Sequence, residues 1–468
     1  MTLVASSTNG VALKRSMGSI GALMVTLSAL SPTIGVFIVG SDVIHQAGTS
    51  VLLCFAAAVG LGVIMACVYA ELVSAFPETG AEYTMVGRAA GPLWGFAVLG
   101  LCLFGLTIAL ALSALGTTTY LRAVLPGLPP IATAAVLVLT VTGLATLNVR
   151  VNAVLTGVFL ATEVASLAVL TALGFLHPAR TLASAFTPVM ASASGLMPAS
   201  IAVIGTAAAG AVYAFNGYGS VAGFGEELHD APKASARVIF LALALAAVLQ
   251  LLPVAAVLIG APDLHALMTA AKPLPAFIAQ AGGPTLATVM SLGIALAIFN
   301  SMIVVALLAG RILFSTARDG CWPVAANRAL LRLHPRFGSP WAATLVMGVA
   351  GTLWCVVPEN ILLTTISGGI VVIYTLLCVA VIAGRRSGAT AHAAYRMPLY
   401  PLIPIAALIV LAGIVWTSLG DAAVGRPGLF ATAAIVAVSL GYYRFALHGR
   451  GRWAHRGPGG APGAALLP

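Results

Sequence analysis

The chain carries two apolar stretches that helix-breaking residues interrupt: LSALSPTIGVFIVG at 27–40 and AVYAFNGYGSVAGFG at 211–225. Pro32 removes a backbone donor in the first, and Asn216-Gly217 lies near the middle of the second. Unpaired backbone groups are costly in hydrocarbon, so a membrane helix stays broken only where it lines a cavity in the protein. Breaks at corresponding places in two halves of a chain are typical of a transporter's binding site. The alternative is close packing, since Gly and Pro are common in membrane helices.

The composition places the whole chain in a membrane. Of its 468 residues, 60% are hydrophobic and 7% are charged, with a mean hydropathy of +1.07, whereas a soluble domain has about 25% charged residues. This excludes a water-soluble enzyme and a disordered chain. The net charge of +10 does not indicate nucleic-acid binding, because that needs a basic patch on a soluble domain. Here the basic residues lie between apolar runs.

Twelve apolar runs are long enough to cross a bilayer, which takes about 20 residues as a helix. The run near 151–176 is broken only by Glu163. The other eleven carry no charge and lie near 20–41, 50–70, 92–118, 131–149, 198–225, 238–262, 284–310, 340–357, 360–384, 401–420 and 427–443. The sequence therefore predicts an all-α integral membrane protein with twelve transmembrane helices.

The basic residues predict the orientation, because cytoplasmic loops of membrane proteins are enriched in Lys and Arg. With the N-terminus in the cytoplasm, 18 of the 22 Lys and Arg residues fall in inner segments and 4 in outer ones. We expect a multi-pass protein of the cell membrane (the inner membrane in a Gram-negative organism) with both termini cytoplasmic. The Gly/Pro-rich segment 448–468 is predicted to be a disordered cytoplasmic tail.

Four parts of the sequence resemble segments of the amino acid–polyamine–organocation (APC) superfamily of permeases. TIGVF at 33–37 is similar to the GxGIF segment of the family's first helix. The segment 69–96 resembles the family's loop after helix two, and 213–239 resembles its sixth helix with an acidic exit. The fourth part is the pair GRILFSTARDGCWP at 310–323 and YRMPLYPLIP at 395–404. All four occur in the family's order.

The resemblance implies the five-plus-five inverted repeat of the LeuT-like fold, with helices 1 and 6 broken. A permease domain would then cover 1–447. Within it, the first repeat would lie at about 16–176, the second at about 198–384, and helices 11 and 12 at about 401–447. An odd number of spans separates the starts of the two halves, which agrees with an inverted arrangement.

The two breaks also predict a substrate site. A half-helix that begins at the first break has unpaired N–H groups and a partial positive charge, both suited to a carboxylate. These donors belong to Thr33, Ile34, Gly35 and Val36. Carbonyls near Tyr213, Ala214 and Phe215 are expected to accept hydrogen bonds from an ammonium group. Asn216 is expected to tune recognition of the substrate side chain, and Gly217 completes the predicted substrate-binding set. The resemblance implies an aromatic side chain that closes over the substrate, and we assign this role to Phe215.

Glu163 is the only acidic residue in the middle of a predicted span. Ionisable residues inside membrane helices usually face a cavity and function there. The position resembles that of a lysine that replaces sodium in proton-coupled relatives, so here the charge is reversed. We predict that Glu163 carries a proton or attracts a cationic substrate; the alternative is a neutral side chain bonded to a neighbouring helix. Asn300 and Ser301 could complete a coupling-ion site, or simply join helices.

Glu226 and Glu227 follow the second broken span directly. We expect them to form a gate or a loop ion pair rather than to bind substrate. Their predicted partners are Lys233, Arg237 and Arg318. Asp42, near the outer end of the first span, is expected to be a solvated helix end, with attraction of cations as the alternative.

These observations predict a secondary transporter that moves an amino acid by alternating access, with a proton or by exchange. Sodium is the alternative coupling ion, and a polyamine or other organic amine the alternative substrate, for which Glu163 and Asp42 would matter more. A membrane-embedded enzyme would need paired carboxylates, a Ser/His pair or a metal set within the spans, where Glu163 stands alone. The 6 Cys and 8 His residues form no ligand pattern, so no metal or cofactor is expected. The oligomeric state stays open.

Overall fold

The computed structural model describes residues 13, 15, 17–147, 149–422, 425–448 and 453–456, with the backbone alone over 149–156. Helices dominate. The first half contains α1 (Ser19–Leu30), α2 (Pro32–Ile34), α3 (Ser41–Ala47), α4 (Val51–Ala75), α5 (Ala81–Ala90), α6 (Pro92–Val124), α7 (Pro130–Ala145), α8 (Val149–Leu176) and α9 (Leu182–Ala185).

The second half contains α10 (Ile201–Ala214), α11 (Ala231–Gly260), α12 (Leu264–Thr269), α13 (Pro273–Arg318), α14 (Val324–Leu330), α15 (Trp341–Leu353), α16 (Glu359–Ser387), α17 (Leu402–Gly420) and α18 (Gly425–Tyr442). Short 3₁₀-helical segments are Gly48–Ser50, Tyr218–Phe224 and Trp354–Val356, and π-helical segments are Gly35–Gly40 and Tyr443–Leu447. Proline stands in the first turn of α2, α6, α7, α11 and α13, where its missing N–H costs nothing.

The described residues contain 9 helical segments long and apolar enough to cross a membrane. One of them, Ser19–Ala75, has 57 residues and leaves helical geometry at Gly48, where φ is +61°. Two further apolar helices, Pro130–Ala145 and Trp341–Val356, are shorter. The protein is thus a mostly helical, multi-pass membrane protein.

A small hairpin departs from the all-α expectation. Strands β1 (Val189–Ser192) and β2 (Gly195–Pro198) pair antiparallel between α9 and α10. Thr49 fixes the hairpin to the loop between α3 and α4, because its hydroxyl donates to the Thr187 carbonyl (2.5 Å) and accepts from the Val189 N–H (2.9 Å). The hairpin lies between two apolar runs and overlaps the second only at Pro198, so its backbone polar groups pair between the strands.

The helices approach each other closely where glycines face one another. A Cβ added to Gly174 of α8 would lie 2.1 Å from the Ala256 carbonyl oxygen of α11. One added to Gly260 would lie 2.7 Å from the Gly174 Cα. Small residues permit this approach in membrane helices, where van der Waals packing holds helices together. Through this contact α11 fixes α8, which carries Glu163.

Part of the segment predicted to be a disordered tail is packed against the protein. The Arg456 N–H donates to Asp319 Oδ1 (2.8 Å), and Trp453 Nε1 donates to the Tyr83 hydroxyl (3.0 Å). The Trp453 ring also packs edge-on against Phe96, 5.3 Å between centroids. Residues 453–456 therefore differ from the prediction, because aromatic burial offsets their Gly/Pro-rich surroundings. Apart from His448 and these four, the segment 448–468 lies outside the described residues.

The two sequence breaks are departures from helical geometry that lie against each other. Ser31, between α1 and α2, has φ +46°, and Gly217, between α10 and the 3₁₀ segment, has φ +126°. A Cβ added to Gly217 would lie 2.6 Å from the Leu30 Cα. Only glycine permits both this φ and this contact.

Replacing Gly217 with alanine is therefore expected to destabilise the protein by roughly 1–3 kcal/mol through backbone strain alone, with the clash against Leu30 in addition. Thermal unfolding of the detergent-solubilised protein measures the loss. The matched control is Gly60→Ala in α4, where nothing lies within 4 Å of the added Cβ and alanine favours the helix. Equal unfolding temperatures for the two variants would contradict the close contact between the breaks.

Candidate functional site

A cavity of about 130 Å³ lies between the two breaks. Ile34 borders it from the first break, and Tyr213, Asn216 and Gly217 from the second. Most of the remaining wall is apolar, from α6, α13 and α16, with polar groups at its edges. This arrangement, a mostly apolar chamber with a few convergent polar groups, is typical of a small-molecule site.

The carboxylate of Glu163 occupies the first break. Its Oε1 accepts hydrogen bonds from the Thr33 N–H (2.8 Å) and the Ser31 hydroxyl (3.1 Å). Glu163 is fully buried, and its Oε2 has no hydrogen-bond partner among the described residues. An anion at this point satisfies unpaired N–H groups and the positive end of the helix that starts at Pro32.

The predicted carboxylate donors are consequently engaged within the protein. The Thr33 N–H is bonded to Glu163, while the Ile34 N–H donates to the Ser31 hydroxyl (3.4 Å) and the Gly35 N–H to the Ser31 carbonyl (3.1 Å). Val36 is fully buried in the π-helical segment Gly35–Gly40. Ser31 takes the left-handed conformation and caps the helix that begins at Pro32, so these N–H groups are satisfied inside the protein.

Gln250 of α11 joins the two breaks, and the sequence analysis missed it. Its Nε2 donates to the Ala214 carbonyl (3.0 Å), one of the predicted ammonium acceptors. Its Oε1 lies so close to Gly35 that a Cβ there would be 2.1 Å away. Gln250 is fully buried. The only signal in the sequence was a lone amide within an uncharged run.

Phe215 does not lie where we expected. Its ring packs edge-on against Phe55 of α4, 5.3 Å between centroids, and it does not line the cavity. Phe215 follows the last residue of α10 and keeps nearly helical geometry, so its side chain continues the face of α10 that packs on α4. The aromatic residue of this segment that does line the cavity is Tyr213.

A hydrogen-bonded tyrosine cluster extends from the second break. The Tyr218 hydroxyl donates to that of Tyr374 (2.9 Å), which donates to Asn216 Oδ1 (3.1 Å). Tyr69 packs edge-on against both tyrosine rings, and its hydroxyl donates to Glu82 Oε1 (3.0 Å). Sequence reasoning did not assign Tyr69, Glu82 or Tyr374 to the site, because no spacing links them.

Asn300 and Ser301, predicted as coupling-ion residues, lie on α13 beside the first break. Asn300 Nδ2 donates to the Ser28 hydroxyl of α1 (3.0 Å). Ser301 lines the cavity. Among the described residues, Asn300 Oδ1 and the Ser301 hydroxyl have no hydrogen-bond partner. Two buried oxygens thus remain available near the break.

Four arginine–glutamate pairs lie at one end of the bundle. We call this the arginine-rich end; it carries the segments 76–80, 225–230, 319–340 and 388–401. The pairs are Glu226–Arg318 (2.7 and 2.9 Å), Glu227–Arg311 (2.7 and 3.0 Å), Glu71–Arg385 (2.5 and 2.7 Å) and Glu78–Arg88 (2.7 Å). Glu226 also accepts from the Thr79 N–H (3.1 Å).

The structure brings Glu226 and Arg318 together but not Lys233. Lys233 is exposed on the first turn of α11, and no ion pair joins it or Arg237 to either glutamate within the described ranges. Glu227 pairs instead with Arg311, which is fully buried. Lys233 is exposed at the start of α11, whereas Arg311 lies in the buried part of α13.

Comparison with known proteins decides the family. Residues 18–440 match the amino acid permease family. The chain belongs to this family. It is a transporter and not an enzyme.

Three relatives match the permease over most of its length. It is 25% identical to a branched-chain amino acid permease of Bacillus subtilis, over 87% of this chain and 89% of the relative. It is 24% identical to a methylthioribose transporter of the same organism, over 82% and 86%. An uncharacterized transporter of Mycobacterium tuberculosis is 30% identical over 72% of each chain.

Glu226 allows a prediction about the stability of the permease. Burial opposes ionisation of Glu226, but the hydrogen bonds and charge of Arg318 outweigh it and hold the pKa of the carboxyl below its usual range. Its contribution to stability is therefore present above the unfolded-state pKa of about 4.3 and lost as the pH falls through the lower folded-state value. At pH 7, Glu226→Gln is expected to cost roughly 3–5 kcal/mol, because it leaves a buried arginine unpaired.

Thermal unfolding at pH 7 and in the acid range measures both effects. The control is Glu359→Gln, which breaks the half-exposed pair Lys272–Glu359 (3.3 Å) and should cost less than about 1 kcal/mol. Similar losses for the two variants would show that Glu226–Arg318 is not a structural pair.

Proposed function

We propose that the permease moves an amino acid across the cell membrane by alternating access, coupled to a proton carried by Glu163. The position of Glu163 carries the proposal: a fully buried carboxylate bonded to the broken first helix, without an ion-pair partner among the described residues. An unpaired charge at this depth is costly, and a proton removes the cost.

The coupling follows from competition for one set of donors. Glu163 Oε1 holds the Thr33 N–H and the Ser31 hydroxyl, next to Ile34 on the cavity wall, and the carboxylate of an amino acid would need the same donors. Two carboxylates repel each other at such a point. Protonation of Glu163 removes its charge and frees these donors. Substrate carboxylate and proton therefore bind together, which is symport.

The apolar wall of the cavity supports a neutral amino acid with an apolar side chain. Leu101, Ile108, Val305 and Ile366 belong to this wall, and burial of apolar surface favours such a ligand. The name of the branched-chain amino acid permease agrees with this substrate class. The methylthioribose relative shows that family membership alone does not decide it, so the proposal depends on the cavity.

The proposed topology has twelve spans. Of the 9 long segments in the described residues, Ser19–Ala75 divides at Gly48 into two spans. The two shorter apolar helices supply the remaining two spans. Spans one to five (about 16–176) and six to ten (about 198–384) form inverted repeats, each opening with a broken helix, and 401–447 supplies the last two. The arginine-rich end faces the cytoplasm, in agreement with the distribution of basic residues.

An organic amine is the second candidate substrate. The engaged donors at the first break favour it, because an amine without a carboxylate does not need them. Exchange is the alternative to symport. Sodium is the alternative to a proton, at the unpartnered oxygens of Asn300 and Ser301.

Replacement of Glu163 with glutamine tests the coupling. Proteoliposomes with an imposed inward proton gradient should accumulate labelled leucine with the unmodified protein. Glu163→Gln keeps the shape and the amide can still bond at the break, but it carries no titratable proton. We expect it to lose accumulation by about tenfold or more, equivalent to one or more units of pH gradient, while counterflow in preloaded vesicles persists.

Glu359→Gln, at the half-exposed surface pair, is the control and should accumulate normally. Proton-driven accumulation by Glu163→Gln would place the proton site elsewhere. Loss of accumulation and counterflow together would point to a structural role of Glu163 instead.

A further inference from the structure

Glu82 differs from every other glutamate at the arginine-rich end. Glu71, Glu78, Glu226 and Glu227 each pair with an arginine at 3.0 Å or less. Glu82, in the first turn of α5, forms no ion pair in the part of the chain that the structure describes. It is also the one of these five that lines the central cavity. The glutamate without an arginine partner is therefore the one on the cavity wall.

In the described part of the chain, the groups that contact the Glu82 carboxylate are uncharged. Oε1 accepts from the Tyr69 hydroxyl (3.0 Å), and Oε2 lies 3.9 Å from the Cys102 sulfur. Tyr218 and Tyr374 pack edge-on against the ring of Tyr69. Burial raises the pKa of Glu82, because desolvation disfavours its carboxylate. A positively charged ligand would offset this desolvation, as Arg318 does for Glu226.

The wall around Glu82 offers hydrogen-bond acceptors and an aromatic ring. Asn216 Oδ1 accepts from one tyrosine hydroxyl and keeps a second lone pair. Tyr69 lines the cavity, and tyrosine rings attract cations. A primary ammonium group, with a positive charge and three N–H donors, matches this set. A carboxylate or an uncharged hydroxyl compound does not.

We propose that Glu82 and Tyr69, with Asn216 beside them, form a subsite for a primary ammonium group on the wall of the central cavity toward the arginine-rich end. The proposal rests on the proposed function in one respect, that the cavity holds the transported molecule. The ammonium group has two sources: the α-amino group of an amino acid, or the terminal amino group of a longer compound.

Two matched pairs of compounds test the subsite and identify the source. Leucine and isocaproate differ by the α-ammonium group, and lysine and norleucine by the terminal one. Ligand-induced shifts of the unfolding temperature of the purified permease report binding without transport. In one pair, the compound with the additional ammonium group should bind roughly ten- to a hundredfold more tightly, as expected for hydrogen bonds to a charged group.

Glu82→Gln should abolish this preference, and Tyr69→Phe, which removes only the hydroxyl, should reduce it. Glu78→Gln is the matched control, because it removes the same charge four residues before Glu82, at a carboxylate paired with Arg88. The ammonium preference of this variant should match that of the unmodified protein. If Glu82→Gln does not fold, Glu82→Asp and Tyr69→Phe carry the test. An ammonium preference as large in these variants as in the unmodified protein overturns the subsite.

Failure of the subsite and failure of the proposed function give different results. If the permease accumulates leucine with a proton gradient but Glu82→Gln keeps the full ammonium preference, the subsite alone is overturned. A preference that depends on Glu82, without proton-driven accumulation of leucine, supports the subsite and overturns the proposed function. Absence of binding by all four compounds contradicts both.

Discussion

The hydrogen bonds between Glu163 and the broken first helix are the interaction on which the site depends. A helix interrupted in the membrane exposes backbone groups that neither water nor lipid can satisfy. Here side chains satisfy them: Glu163 accepts from the Thr33 N–H, and Gln250 donates to the Ala214 carbonyl. The two breaks can therefore lie against each other at Leu30 and Gly217 and still leave a cavity beside them.

This constraint explains which parts of the site could be predicted from the sequence. Pro32, Gly217 and Glu163 are exceptions within apolar runs, so the sequence indicates them directly. Their partners are not visible in the same way, because Glu163 and Ser31 are separated by 132 positions. The open cradle at Thr33 to Val36 was predicted from local geometry alone. Local geometry does not show that another helix supplies a carboxylate to the same donors.

The ion pairs show a similar limit. The distribution of basic residues predicts that they gather at one end of the bundle, and the four arginine–glutamate pairs lie at such an end. Which arginine pairs with which glutamate depends on how the helices cross. Lys233 is close to Glu227 in sequence and points to solvent, while Arg311 reaches it from a distant helix. The role predicted for Phe215 was wrong for the same reason, because the direction of its side chain depends on the packing of α10 on α4. Composition and breaks determine the class of protein; side-chain direction requires the structure.

Glu163 and Glu82, neither of which has an ion-pair partner among the described residues, give the proposed site a charge balance. With Glu163 protonated and Glu82 ionised, the proposed site would hold the substrate carboxylate at the positive helix end and give its ammonium group a carboxylate partner. Every charge in the loaded cavity is then compensated, as membrane burial demands. Without substrate, an ionised Glu163 returns to the Thr33 N–H and compensates the same helix end. The loaded and the empty form would thus both avoid an unpaired charge at the first break. A transporter that works by alternating access passes through both forms in each cycle, so both must satisfy this condition.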